Sequence, residues 1–304
     1  MNDTPRTILI TGATSGLGLE CARALASVPE VRLLLGARDQ ARGDALAAGL
    51  GALAEVVVVD LASLASVQRA LERLGGRALD AIVCNAGVHE AGPPTFTVDG
   101  LETTFGVNHV AHQALVTRLE GALTRHARVV VVSSGTHDPA TLEGRANPPA
   151  AIDVSALATG REGGLPVSAI RRYTSSKLCN VLFARELDRR LRAAGRQVTV
   201  NAFDPGAVPG TALTRSWSPA MRLLVKSSWV LRLFGMAVST PARAAGALAR
   251  LVVSPELDGV TGRYFQLETE RAPSTTARDP ELAKALFDET ERLLRAKGFP
   301  APAT

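Results

Sequence analysis

Residues 7–26 read "TILITGATSGLGLECARALA", and the fold turns on how this stretch is parsed. "TILIT" is a short apolar run with strand character, and a helical segment follows the glycines. Gly12, Gly16 and Gly18 are spaced Gly-x3-Gly-x-Gly, which differs from the G-x-G-x-x-G fingerprint. Glycines there let the backbone turn tightly and approach a pyrophosphate, while the N–H groups and dipole of the following helix favour an anion. A strand-to-helix corner that merely needs small residues is the competing reading. The strand before and the helix after favour nucleotide binding.

Outward from this turn, apolar β-rich runs alternate with helical segments. They are "VRLLLGA" (31–37), "AEVVVVD" (54–60), "DAIVCNA" (80–86), "RVVVVSS" (128–134) and "VTVNAFD" (198–204), with a seventh short strand at "GRYFQL" (262–267). Nearly continuous apolar strands separated by helices are what a parallel sheet covered on both faces produces, because neither side of such a strand meets water. The expectation is a doubly wound α/β fold of about seven strands with right-handed crossovers. No internal repeat and no Pro/Ser/Gly linker divides the chain, so residues 1–304 read as one domain. Residues 1–135 form its cofactor-binding half, and 136–304 carry the catalytic helix, a lid and the C-terminal elements.

Two segments depart from the alternation. Residues 135–168 are too long for an ordinary connection, which points to a functional or shielding role. Residues 212–236 hold both tryptophans and four basic residues without an acid. They read as a lid over a lipophilic substrate, as a helix packed on the body or at a subunit interface, or as a membrane-surface helix.

Composition narrows the classes of function. Apolar residues at 46% and charged residues at 21% are the balance of a globular protein. The net charge of +5 is dispersed, without the basic stripe and aromatics of a nucleic-acid surface, and suits a small anionic ligand. Cys21, Cys84 and Cys179 are odd in number and far apart, which favours buried thiols over disulfides. The five histidines lack metal-ligand spacing, so no metal is expected. With neither a leader-like N-terminus nor an apolar run long enough to span a bilayer, the expected location is the cytoplasm, with membrane contact at most peripheral.

About 20 residues past the last glycine, "LLLGARDQ" ends the second strand. An acid here would bind the adenosine ribose hydroxyls, whereas an arginine beside small residues accommodates a 2′-phosphate. Gly36, Ala37 and Arg38 supply the second pattern. A charge-assisted bond of about 1.5–3 kcal/mol from Arg38 would favour NADP over NAD by roughly ten- to a hundredfold. Asp39 follows at once, either weakening that preference or facing outward.

Tyr173, one of two tyrosines in the chain, lies four residues before Lys177 on a helix beginning near residue 170. The i, i+4 spacing puts both on one face. A phenol with an ordinary pKa near 10 is a poor base at neutral pH, and a neighbouring ammonium favours its phenolate. Ser134, just past the C-terminal end of its strand, lies where open α/β sheets place their ligands.

The ordered set "TGATSGLG", "VVVVDL", "CNAG", "VNHVAH", "VVVVSS", "YTSSK" and "DPG" resembles a short-chain dehydrogenase/reductase from about residue 7 to 211. The resemblance implies a Rossmann sheet, NADP(H) and hydride transfer to or from a carbonyl or alcohol carbon. It assigns Tyr173 as general acid/base and Ser134, the second serine of the pair, as the hydroxyl that holds the reacting oxygen. Lys177 lowers the tyrosine pKa and grips the nicotinamide ribose, and Asn108 orients a water connecting Lys177 to solvent. Cofactor contacts fall on Gly12, Thr14, Ser15, Gly16, Leu17, Gly18, Arg38, Asp60, Leu61, Asn85, Ala86, Gly87, Pro205 and Gly206, besides Tyr173 and Lys177. Asn85 reads as structural, and Asp60, placed where the family contacts adenine, has a strand-end turn residue as its competing reading. Where the family binds the carboxamide, "PGAVPGT" puts Val208 in register and Thr211 one residue late.

Within the family, "GAR", "FTVDGLETTFGVNHVAHQALV" and "SSKLCNVLFARELDRRL" are similar to the branch of retinol dehydrogenases and light-dependent protochlorophyllide reductases. Ala207 follows "DPG" where the photoreductases carry cysteine, so a light-independent relative is expected. As a lid, the mostly apolar residues 212–236 would suit a lipophilic ketone, aldehyde or alcohol, and a homo-oligomer is left open. The alternatives are a photoreductase relative or a catalytically idle NADPH-binding regulator.

Overall fold

The computed structural model describes residues 5–51, 53–207 and 239–302. Its first half alternates strand and helix: β1 (Arg6–Thr11), α1 (Gly16–Ala26), β2 (Val31–Ala37), α2 (Gln40–Leu50), β3 (Ala54–Val58), α3 (Leu64–Leu74) and β4 (Leu79–Cys84). A short turn α4 (Thr103–Phe105) and a π turn over Gly106–Val110 then lead into α5 (Ala111–Leu119). β5 (Leu123–Val132), α6 (Leu142–Ala146), α7 (Val154–Thr159) and the hairpin β6 (Arg161–Glu162) and β7 (Leu165–Pro166) follow. The chain continues through α8 (Ala169–Ala193), β8 (Thr199–Asp204), α9 (Pro241–Val253), β9 (Tyr264–Gln266), β10 (Thr269–Arg271) and α10 (Pro280–Ala296).

The main sheet runs β10-β9-β8-β5-β4-β1-β2-β3, parallel except for the β9–β10 pair. Among the described residues it has eight strands rather than about seven. The strand that sequence reading missed, "TER" at 269–271, is exposed along its length, so no apolar pattern announces it. It pairs back on β9 through a turn at Leu267, which takes a positive φ of 54°.

Strand alternation divides the interior into two cores. Leu9, Leu34, Ile82, Val129, Val131 and Val200 face the side covered by α3, α5, α8 and α10. Their neighbours Ile10, Leu35, Val83, Val130, Val132 and Phe203 face α1 and α9. This two-sided cover is why the strands read as unbroken apolar runs. Polar caps set the helix starts: Asp39 for α2, Ser63 for α3, Thr240 for α9 and Asp279 for α10, the last two followed by proline at the first helical position. β1 lies between β2 and β4, so the strand order reverses there. The C-terminal ends of β1 and β4 flank the crevice where ligands bind in open sheets of this kind.

The long connection at 135–168 folds into a short 3-10 turn, α6, α7 and the β6–β7 hairpin. It encloses a cavity of about 140 Å³ with Glu102 and Arg172. All three cysteines are buried, and burial pushes the Cys21 thiol up to about 12. Residues 212–236 lie outside the described residues. Among those described, no helix is long and apolar enough to cross a membrane.

Candidate active site

The glycine turn leaves β1 through Gly12, which takes φ +67°, and enters α1 at Gly16 with φ +55°. A Cβ on Gly12 would come within 2.9 Å of the Ala86 Cα, and one on Gly18 would lie 2.3 Å from the Gly12 carbonyl oxygen. Sterics therefore exclude a side chain at Gly12 and Gly18, whereas at Gly16 there is open space and the positive φ favours glycine. Asn85 holds it from β4, donating from Nδ2 to the carbonyl oxygens of Thr11 at 2.9 Å and Gly12 at 3.4 Å. The structural reading of Asn85 therefore has its geometry. Ser15, the N-cap of α1, makes no side-chain capping bond. A helix N-terminus without a side-chain cap, beside an exposed glycine turn, fits the pyrophosphate of a dinucleotide. Thr14 and Leu17 are half-buried on the same turn, and Gly87 is exposed next to Ala86.

At the end of β2, Arg38 is exposed. Asp39 accepts the Arg42 backbone N–H at 2.8 Å as the N-cap of α2. Its carboxylate is thus engaged in the helix start. Past β3, Asp60 accepts from the Ala62 N–H at 3.0 Å, a turn of the kind a strand end uses, and Leu61 is buried in the core. The turn role of Asp60 is visible; the carboxylate remains partly exposed.

α8 brings Tyr173 and Lys177 to the C-terminal edge of the sheet. Tyr173 is 7% exposed and Lys177 4%. The Lys177 Nζ lies 5.5 Å from the Tyr173 ring centroid and donates to the Val132 carbonyl at 3.3 Å. It also lies within 3.5 Å of where a Cβ on Gly87 would stand, which puts the ammonium against the "NAG" backbone. Burial pulls the Lys177 pKa down to about 8, with Asp204 opposing that fall. Asp204 is itself 1% exposed and accepts from Tyr264 Oη at 3.1 Å, Gln266 Nε2 at 2.9 Å and the Gly206 N–H at 2.9 Å. Sequence reading saw Asp204 only as the start of "DPG"; its place beside Lys177 follows from β8 pairing with β5, Val132 opposite Phe203.

The two serines separate cleanly. Ser133 is 2% exposed and its hydroxyl donates to the Lys177 carbonyl at 2.8 Å, which pins β5 to α8. Ser134 is half-buried, and its Oγ accepts only a 3.3 Å contact from the Thr136 N–H among the bonds described. His137 anchors the backbone of Ser134, donating from Nδ1 to the Ser134 carbonyl at 2.7 Å while its Nε2 accepts from the Ser274 N–H at 3.3 Å. Burial holds this imidazole below its ordinary pKa, and a neutral ring is what that donor-acceptor pair requires. The ring of His89 packs 5.2 Å from that of Tyr173.

Asn108 sits in the π turn, fully buried. Its Oδ1 accepts the Val88 N–H at 2.7 Å, and its Nδ2 donates to the Val88 carbonyl and to Ser176 Oγ, each at 3.0 Å. This side chain joins the loop after β4 to α8. Pro205 and Gly206 close β8 beside Asp204, Gly206 with φ +68°. Val208 and Thr211 lie outside the described residues. Among those described, no three His, Cys, Asp or Glu side chains gather as a metal ion would need. The cavity behind Arg172 is lined by none of Ser134, Tyr173 and Lys177.

A family model described as short chain dehydrogenase matches residues 6–142. The chain is 35% identical over 307 residues to a WW domain-containing oxidoreductase of Pongo abelii, covering 97% of this chain and 69% of that one. It is 34% identical over 313 residues to the chloroplastic protochlorophyllide reductase A of Oryza sativa subsp. japonica, with 94% and 80% covered. With a polyprenol dehydrogenase of Mus musculus the identity is 37% over 312 residues, with 96% and 85% covered. Among solved structures, an uncharacterized protein from Mycobacterium paratuberculosis superposes with a TM-score of 0.73 at 30% identity, over 99% of this chain and 98% of that one. The angucycline C-6 ketoreductase LanV with bound NADP does so with a TM-score of 0.64 at 25% identity, over 88% and 95%.

Proposed function

The chain belongs to the short-chain dehydrogenase/reductase family of oxidoreductases, and from that premise we propose that it is an NADP(H)-dependent carbonyl reductase or alcohol dehydrogenase for a small lipophilic substrate. The observation that carries the proposal is the buried Lys177 ammonium against Gly87 and the Tyr173 ring, with the more open Ser134 at the end of the same sheet edge.

When bound, NADPH supplies the hydride; the residues of the chain manage the oxygen and its proton. Gly12, Thr14, Ser15, Gly16, Leu17 and Gly18 would hold the pyrophosphate, Ala86 and Gly87 would let the cofactor approach β4, and Arg38 would take the 2′-phosphate. Asp60 and Leu61 would border the adenine, and Pro205 and Gly206 would border the nicotinamide. Ser134 donates to the substrate carbonyl oxygen and fixes its position. Tyr173 passes its phenolic proton to that oxygen as the carbon gains hydride. Lys177, cationic below about pH 8, favours the phenolate left behind, and Asn108 fixes the turn of the chain that faces it. Oxidation of an alcohol reverses these steps.

NADP over NAD is supported by Arg38, exposed beside Ala37 with one oxygen of the Asp39 carboxylate engaged by the α2 cap, and by the NADP named with the ketoreductase relative. A lipophilic substrate is supported by the polyprenol named for one relative. A photoreductase reading draws on the protochlorophyllide reductase relative, and Ala207 in place of a cysteine weighs against it.

The test is an NADPH-oxidation screen over aliphatic, aromatic, steroid-like, retinoid and polyketide carbonyls. Tyr173→Phe should lose about 10²–10⁴-fold in kcat on the best substrate, and Arg38→Ala should abolish the preference for NADPH over NADH. Wild-type turnover in Tyr173→Phe would defeat the proposal. Light-driven loss of pigment absorbance would establish the photoreductase reading instead.

A further inference from the structure

The π turn raises the question of what holds it against the glycine turn on the far side of the strand ends. One side chain spans the gap. His112, the second residue of α5, is 1% exposed. Its Nδ1 lies 3.0 Å from the Asn108 carbonyl oxygen, and its Nε2 lies 2.8 Å from Thr11 Oγ1.

The hydrogen-bond inventory fixes the tautomer. A carbonyl oxygen only accepts, so Nδ1 carries the proton. Burial pulls the imidazole pKa down to about 4, which leaves the ring neutral at ordinary pH and Nε2 a bare acceptor. The Thr11 hydroxyl is the matching donor. Its two lone pairs accept the Asn85 N–H at 2.9 Å and the Ala86 N–H at 3.0 Å, and its proton points to Nε2 in preference to the Val83 carbonyl at 3.3 Å. The proton and the lone pair of the imidazole, and the proton and both lone pairs of the Thr11 hydroxyl, are thereby each used once.

The bonds beyond each end reach both halves of the site. Thr11 immediately precedes Gly12, and through Asn85 and Ala86 it sets the backbone that Gly12 touches. Asn108 holds Val88 and Ser176, and the Ser176 hydroxyl donates to the Tyr173 carbonyl at 2.8 Å. We infer that His112 is a positioning residue of the reaction, a neutral imidazole of fixed tautomer that sets the cofactor turn and the Tyr173 helix in register with each other. The inference rests on the proposed nicotinamide-dependent reading and adds to it a residue that touches neither cofactor nor substrate.

Two conservative variants separate the ends of the tie. In His112→Asn the amide NH₂ takes the place of Nδ1, keeping the bond to Asn108 and losing that to Thr11. In His112→Gln the amide oxygen takes the place of Nε2, keeping Thr11 and losing Asn108. NADPH Kd, read by fluorescence without a substrate, should rise about tenfold in His112→Asn with a smaller loss of kcat. His112→Gln should show the opposite split, about tenfold in kcat with a smaller rise in Kd. Equal effects in the two variants, or none, would overturn the inference. A second measurement needs no variant: ¹⁵N spectra of the wild-type imidazole should show protonation at Nδ1 and no titration from pH 5 to 9. An Nε2–H tautomer, or a pKa near 6.5, would overturn it. A wild-type protein that bound neither NADPH nor NADH would overturn this inference together with the proposed function. Variants that bind and turn over like wild type would overturn the role of His112 alone.

Discussion

Glu102→Gln tests how the start of the Tyr173 helix is held. Glu102 and Arg172 form an ion pair of 3.0 Å, with side chains 1% and 3% exposed. The other Glu102 oxygen accepts the Phe105 N–H at 2.8 Å. Arg172 also donates to the carbonyls of Val167 at 2.6 Å, Gly92 at 3.0 Å, Glu90 at 3.2 Å and Pro93 at 3.4 Å. The guanidinium thus fastens the loop after β4 to the residue before Tyr173. Glutamine keeps the volume, removes the charge and leaves a buried cation. Breaking such a pair costs about 3–5 kcal/mol, and four remaining carbonyls place this case near ~3 kcal/mol. At about 2.1 cal/mol/K per residue, a chain of 304 residues has an unfolding entropy of roughly 0.6 kcal/mol/K, so Tm should fall about 5 °C. The assay is a double-mutant cycle with Arg172→Met, by urea melts and calorimetry. Each single variant leaves one unpaired buried charge and the double leaves none, so the double should be about 2 kcal/mol better than the sum of the singles. Additivity within about 0.5 kcal/mol, or a Glu102→Gln loss below about 1 kcal/mol, would refute the reasoning.

Lys177 gives a pH prediction with a definite sign. Its folded pKa near 8 lies below the ordinary 10.5, so between those values the unfolded chain binds more protons and stability rises with pH, by at most about 3 kcal/mol. Lys177→Met should flatten that rise in urea melts, and wild-type kcat/KM for reduction should fall above about pH 8; a slope that survives the substitution assigns the titration elsewhere. Ser134→Ala should cut kcat by about 10²-fold or more while leaving Tm nearly unchanged, whereas Ser133→Ala should lose about 1 kcal/mol of stability through its bond to Lys177. Reversal of that pattern in kinetics and melts would exchange the two roles. In Gly18→Ala the new methyl meets the Gly12 carbonyl oxygen, and displacing the turn should weaken NADPH binding by about 1–3 kcal/mol by isothermal titration; unchanged affinity would mean that the turn relaxes freely.

The strands were legible because both faces of the sheet are covered, so Val129 to Val132 could be apolar at every position. Tyr173 and Lys177 were legible because one helix carries both. His112 and His137 gave no signal, since their partners Thr11 and Ser274 lie 101 and 137 residues away and a single histidine has no spacing to read. Asp39 was ambiguous in the sequence, either weakening the NADP preference or facing outward, because its bond to the Arg42 N–H appears only once α2 is in place. Choosing Ser134 over Ser133 required the family resemblance, and burial supplies the physical distinction. The π turn at Asn108 is likewise invisible locally, because its side-chain bonds go to Val88 and Ser176 on other elements.

The unforeseen eighth strand matters most for what it keeps away. An open sheet ends in two rows of backbone groups able to recruit another chain. β10 ends one side with Thr269, Glu270 and Arg271, short, exposed and polar, with Glu270 paired to Arg263. On the opposite border, Glu55 of β3 is held between Arg32 and Arg77. A strand added at either border would have to lie along charged side chains, so continuous sheets between copies are disfavoured, and the apolar strands at the centre stay shielded from fibril-like pairing while the protein is folded.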